Sequence, residues 1–230
     1  MTFSVWHLLL IVPAVLAWFA QSRVRGIHER HADTPQHANL TGIEVARRLL
    51  QRHGLTDVTI ERTAGYLSDS YDPQTRTLRI SDGVANTSSV TSLGIVAHEV
   101  AHAIQHAEDY RFMRLRTAAA ERLNGVVQWG SLAMIAGILL QIPVLWAFSG
   151  LVLLASLVFA VITLPVERDA SRRALAALEE SGLATGQEID GARRVLRAAA
   201  FTYLAGLTQR LGTFLFFAFA ALALLGILKR

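Results

Sequence analysis

Ile95-Val96-Ala97-His98-Glu99-Val100-Ala101-His102-Ala103-Ile104-Gln105-His106-Ala107 is the stretch that decides how this chain is read, because it sets HExxH inside an apolar run with helical spacing. An α-helix turns about 100° and rises about 1.5 Å per residue, so His98 and His102 fall on one face about 6 Å apart. Two imidazoles so placed can grip one metal ion. Glu99, the next residue along, can then take a proton from a water activated by that metal, which is the arrangement of a zinc hydrolase. With eight His and ten Glu in 230 residues, chance produces HExxH in about 1% of shuffled chains of this composition. The surrounding sequence therefore has to carry the argument.

Hydrophobic residues make up 52% of the chain and charged residues 17%, and the mean hydropathy is +0.37. That is too apolar for an ordinary soluble domain and points to membrane spans. Residues 3–20 form an uncharged run of 18, about 27 Å as a helix and close to the thickness of a bilayer's hydrocarbon core. No Lys or Arg precedes it and Trp18 breaks the small-residue pattern a cleavage site needs, so it reads as a retained anchor holding His7. Residues 124–166 contain no ionisable side chain over 43 positions, twice the length of one crossing. Two spans fit, with the turn near residues 141–149, where Pro143 and Gly150 punctuate the run. Residues 211–228 give a fourth apolar stretch closed by Lys229 and Arg230.

Charge sets the expected orientation. Of 22 Lys and Arg, 13 lie in residues 21–123, seven in 167–210 and two at the end, while the proposed turn has none. Arg23, Arg25 and Arg30 follow the first span, Arg114, Arg116 and Arg122 precede the second, and Arg168, Arg172 and Arg173 follow the third. The positive-inside rule then makes both polar segments cytoplasmic. A pI near 10.1 follows from that topology and from attraction to anionic lipid; no nucleic-acid-binding motif accompanies it, and no nucleic-acid partner is expected. The chain has no Cys, which removes disulfides and thiolate metal sites.

The expected architecture is a mainly α membrane protein with about four transmembrane helices and a cytoplasmic α+β zincin-like domain holding a small β-sheet or hairpin. The segments are an anchor at 1–20, the HExxH domain at 21–123, a membrane hairpin at 124–166, a cytoplasmic helical segment at 167–210 and a last span at 211–230. Thr41-Gly42-Ile43-Glu44 is a capping-box pattern, followed by Val45, Leu49 and Leu50 at helical spacing and Gly54 as a C-cap. Residues 58–62 and 75–81 are β-branched and alternating, with Asp72-Pro73-Gln74 as turn residues between them. The second polar segment shows a helix over 167–180, a stop at Gly182, and a second capping box over Thr185 to Glu188.

Two histidines leave a hydrolytic zinc one protein ligand short. His106 continues the spacing of four, but on a straight helix it is about 12 Å along the axis from His98, too far to share an ion with bonds of about 2 Å. It reads as a residue behind the ligands or at the surface. His28, His31, His37 and His53 are isolated in polar stretches. Glu167 is the first charge after the long uncharged run, and two readings of it stand: a metal ligand, or an interfacial acid balanced by Arg168.

The sequence resembles the bacterial membrane-bound neutral zinc metallopeptidases of the second type, and the likeness runs nearly end to end. It is carried by residues 42–50, by Leu67-Ser68-Asp69 and Tyr71-Asp72-Pro73, by residues 77–81, by residues 97–106, and by residues 164–175, which read LPVERDASRRAL. Ala101 departs from the usual Gly of that HExxH, and Arg168 stands where Phe is common. More distantly, the order strand, HExxH helix, membrane hairpin and then Glu resembles the heat-shock membrane protease and CAAX-prenyl protease group, which are gluzincins. The resemblance implies His98, His102 and Glu167 as ligands of Zn²⁺ with Glu99 as general base. That wider group carries an Asp four residues after its ligand Glu, a position held here by Ser171, while Asp169 is two away. Asp169 can contact a ligand or simply pair with Arg172 or Arg173, and His106 and Ser171 are the other residues that could support the ligands.

The expected activity is a membrane-bound zinc metalloendopeptidase of the bacterial plasma (inner) membrane, multi-pass, its site facing the cytoplasm. Its expected partners are the bilayer and a membrane-associated polypeptide substrate; nothing specifies an oligomeric state. Tyr110, Tyr203, His106 and Arg172 are candidates for a second oxyanion donor. Residues 77–81 could be an edge strand onto which a substrate adds, or an ordinary sheet strand. A true intramembrane protease is disfavoured because polar residues bound the short HExxH segment, and a transporter by the absence of ionisable groups in the middle spans. A catalytically silent or regulatory scaffold that keeps a zinc site, and a zinc hydrolase of a lipid-linked substrate, are the alternatives.

Overall fold

Thr41 starts the first helix of the polar region as its sequence requires. In the computed structural model, which describes residues 8–32, 34–66, 68–140 and 142–224, α1 spans Leu8–Ala32 and α2 spans Gly42–Arg52. The Thr41 backbone N–H donates to Glu44 Oε2 at 2.8 Å and the Glu44 N–H donates to Thr41 Oγ1 at 3.4 Å, the reciprocal pair of a capping box. At the other end Gly54 takes φ +69°, its N–H donates to the Gln51 carbonyl, and the Leu55 N–H reaches back to Leu50. These bonds satisfy carbonyls the helix would otherwise leave open. His7, Leu67, Gln141, Lys229 and Arg230, and the side chains of His28 and His31, lie outside the described residues.

Three strands follow: β1 (Thr59–Thr63), β2 (Ser70–Asp72) and β3 (Thr77–Ser81). Their order in the sheet is β1-β3-β2, with β1 parallel and β2 antiparallel to β3. One sequence expectation changes here, and one pair of open alternatives closes. The turn at residues 73–76 joins β3 to the unforeseen β2 rather than to β1, because β2 and β1 pair with opposite sides of β3. And β3 is the central strand, not an edge: main chain pairs with it on both sides, so no peptide can add there. Its burial agrees, since Leu78 and Ile80, two apart and so on one face, are enclosed in the same core as Val45, Leu49, Leu93 and Val100.

A short α3 (Asp82–Ala85) leads to α4 (Val90–Ala107). Ser89 caps α4, its Oγ accepting from the Ser92 N–H at 3.1 Å. α5 covers Arg111–Leu140, α6 Pro143–Ser181 and α7 Gly186–Leu224. α6 is one continuous helix through Pro165, so the apolar run and the polar residues after it share a single element; Gly182, at φ +66°, ends it. Thr185 and Glu188 form the second capping box, with Thr185 N–H to Glu188 Oε2 at 2.5 Å and Glu188 N–H to Thr185 Oγ1 at 3.4 Å.

The chain separates into two compact units. One comprises the described parts of Met1–Gln21, Leu115–Leu164 and Thr202–Arg230; the other comprises Ser22–Arg114 and Pro165–Phe201. The first is all helical. Trp18, Trp129, Leu139, Leu151 and Val158 of that unit are exposed, a surface that suits lipid rather than water. Among the described residues two helical segments, not four, are long and apolar enough to cross a membrane: Leu8–Ile27 and Val144–Ser181. The other two expected spans fall on the ends of α5 and α7, where many side chains lie outside the described residues. The second unit holds the sheet, α2, α3 and α4 with α6 from Pro165 to its end, and contains every residue of the site described next.

Candidate metal centre

α4 owes its position to its apolar face. Leu93, Val96, Ala97, Val100 and Ala101 are fully enclosed, and burial of that stripe turns His98 and His102, four residues apart, toward α6. Val166, Ala170 and Ala174 of α6 are equally buried, and the same periodicity brings Glu167 inward. His98 Nε2 lies 3.1 Å and His102 Nε2 3.7 Å from Glu167 Oε2, and the two rings meet edge to face with centroids 4.8 Å apart. One ligand atom from each of the three residues falls within 4.8 Å of the others.

This donor set fits zinc. Ligand atoms on a tetrahedral ion with bonds of 2.0–2.1 Å sit on the order of 3.3 Å apart, and two imidazoles with one carboxylate leave the fourth position open, as hydrolytic sites require. Glu167 is 3% exposed, a depth at which a carboxylate needs a cationic or hydrogen-bonding partner. Burial works to raise its pKa, but the two imidazoles beside it outweigh burial and hold it below the usual carboxylate range. Arg168, its neighbour in sequence, is exposed. Glu99 is half-buried beside His98 on α4.

The residues expected behind the ligands separate. Ser171 Oγ lies 3.4 Å from His98 Nδ1. Asp169, 7% exposed, does not touch a ligand histidine; it accepts from Gln105 at 3.0 Å and from Arg173 Nε at 2.5 Å, and pairs with Arg172. Burial opposes its ionisation, yet these donors, Gln105 first and then the two arginines, bring its pKa below the ordinary value. His106 is turned to the sheet, where its Nδ1 shares a 2.9 Å hydrogen bond with the Tyr71 hydroxyl. Burial, together with Arg76, depresses the His106 pKa despite Asp109, and burial followed by Asp72 pushes the Tyr71 phenol up to about 12. Tyr110 lies beneath the Arg173 guanidinium, 5.8 Å from ring centre to Cζ, and Tyr203 belongs to the other unit.

Gln105 escaped the reading of the sequence. It is completely buried, its Oε1 is 3.0 Å from His102 Nδ1, and its Nε2 donates to the Val166 carbonyl at 2.9 Å as well as to Asp169. The signal available was a polar side chain three residues after a ligand on the buried side of an apolar helix.

The family described as "Putative neutral zinc metallopeptidase" matches residues 6–222 of the chain, and this protein belongs to that family. Among curated proteins, "Putative membrane protease YugP" of Bacillus subtilis (strain 168) is 36% identical over 197 residues, which is 86% of this chain and 88% of that one. No solved structure matches.

Proposed function

We propose that this protein is a membrane-bound zinc metalloendopeptidase that cuts membrane or membrane-proximal proteins, with His98, His102 and Glu167 holding the ion and Glu99 as general base. The observation that carries this reading is the convergence of the three donor atoms within 4.8 Å beside a carboxylate in HExxH register. Zinc bound there would supply a Lewis acid that makes a water nucleophilic near neutral pH and polarises the scissile carbonyl. The protein's own part is proton handling and placement. Glu99 takes the water proton as attack begins and returns it to the leaving amine, so one carboxylate serves as base and then acid. Glu167, buried and ionised, supplies the negative charge that keeps the ion seated.

Substrate is expected along β2. That strand is an edge of the sheet, with β3 on one side only, and its Tyr71 touches His106, one turn beyond His102 on α4. An extended peptide pairing with β2 by main-chain hydrogen bonds would run beside the catalytic helix. Glu167 directly follows the uncharged run in sequence, which suits cleavage near the bilayer surface, and the Arg distribution suits the cytoplasmic side.

New protein N-termini compared between cells expressing the intact chain and cells expressing Glu99→Gln test the reading. Termini that require Glu99 identify a protease and its substrates. Identical termini, with zinc retained by both proteins, refute proteolysis and leave the scaffold or the lipid-linked substrate.

A further inference from the structure

We infer that Gln105 is a positioning residue that fixes the His102 ring with its proton on Nδ1, so that the Nε2 lone pair is the one presented to the ion. The inference rests on the zinc reading of the site, and it follows from the donors and acceptors around one amide. Gln105 Nε2 is 2.9 Å from the Val166 carbonyl oxygen and 3.0 Å from Asp169 Oδ2. A backbone carbonyl can only accept, so the NH₂ end of the amide must face Val166, and its second hydrogen reaches Asp169. Its partners thus settle an orientation that the similar shapes of N and O alone would leave ambiguous.

The consequence falls on His102. Oε1 has only lone pairs to offer at 3.0 Å from Nδ1, so Nδ1 must be the donor. A neutral imidazole has one N–H, and placing it on Nδ1 leaves Nε2 as an acceptor, the atom 3.7 Å from Glu167 Oε2. Asp169 is itself held in place by Arg173 and Arg172. The other ligand is held differently. His98 Nδ1 meets the Ser171 hydroxyl at 3.4 Å, and a hydroxyl can donate or accept, so Ser171 imposes no tautomer. Two histidines on one helix are therefore supported unequally, one by a fixed acceptor and one by a permissive contact.

The full-length protein in detergent tests this with Gln105→Met, Gln105→Leu and Ser171→Ala, using zinc affinity by chelator competition and ¹⁵N-histidine NMR of the zinc-loaded form. We expect a His102 Nδ1–H resonance protected from solvent exchange in the wild type. In both Gln105 variants that protection should be lost and zinc should bind roughly 10- to 100-fold more weakly, while Ser171→Ala keeps the resonance and loses less affinity. Gln105→Met fills a similar volume, and the wild-type resonance needs no variant, so a misfolded Gln105→Leu does not decide the matter. Wild-type zinc affinity and an intact protected resonance in Gln105→Met would overturn the role of Gln105 alone, as would a wild type that coordinates through Nδ1. A wild type that takes up no zinc would overturn the metal centre itself, and this inference with it.

Discussion

Glu99 and Glu167 are the two carboxylates of the proposed site, and they differ in burial. Glu167 is buried and hydrogen-bonded to His98 at 3.1 Å, which suits the proposed ligand; Glu99 is half-buried, which suits the proposed general base. Glu99→Gln is expected to keep zinc and to lower peptide hydrolysis by about 10²- to 10⁴-fold, the usual worth of a general base, measured on a cleavable substrate in detergent. Glu167→Gln should instead lower zinc occupancy at equal protein concentration, read by metal analysis after dialysis. Ala101 is fully buried within α4. Ala101→Gly should destabilise the helix by roughly 1 kcal/mol and leave the zinc content unchanged. At this scale the pairing of His98 with His102 was legible because their spacing is local. Gln105 was not, because its meaning depends on Val166 and Asp169, more than 60 positions away.

The elements were legible where their end signals are local. The capping boxes at Thr41 and Thr185 and the glycine stops at Gly54 and Gly182 lie where the sequence set them. Gly42 has a further role that no spacing reveals: a Cβ there would meet the Val84 carbonyl oxygen at 2.3 Å and Ser92 Oγ at 2.9 Å, so α2 reaches α3 and α4 only through a glycine. Gly42→Ala should cost about 1–3 kcal/mol in chemical denaturation, the cost of overpacking a well-filled contact. Acid sensitivity belongs to this scale as well, through Asp169 on α6 and Glu188 at the start of α7. Burial raises both, but Gln105 and the arginines lower Asp169, and Thr185 and His37 lower Glu188, so both folded values lie below the ordinary ones. Because the unfolded chain binds these protons more readily, their contribution is complete above pH ~4 and is lost as pH falls from there through the depressed folded values. The melting temperature of Asp169→Asn should therefore lie below the wild type at neutral pH and approach it on acidification.

For the whole molecule, the candidate ligands come from two helices far apart in the chain, His98 and Glu167 being 69 residues apart. An ion held by both would act as a cross-link that only the folded state possesses. Chelation should lower Tm and added zinc restore it, by an amount equivalent to about 2.7 kcal/mol when free zinc is 100-fold above its dissociation constant; Glu167→Gln should show little of this response. Membership of a zinc metallopeptidase family and two helices apolar enough for a bilayer fit a protein that fractionates with membranes and resists carbonate extraction. The sequence by itself determined the HExxH helix, the helix ends and the apolar runs, because each depends on residues within a few turns of one another. Only the tertiary structure decided that β3 is central, that Glu167 turns to the histidines rather than to solvent, and that Gln105 holds His102. Those outcomes depend on how buried faces distant in the chain meet, and no local spacing encodes that.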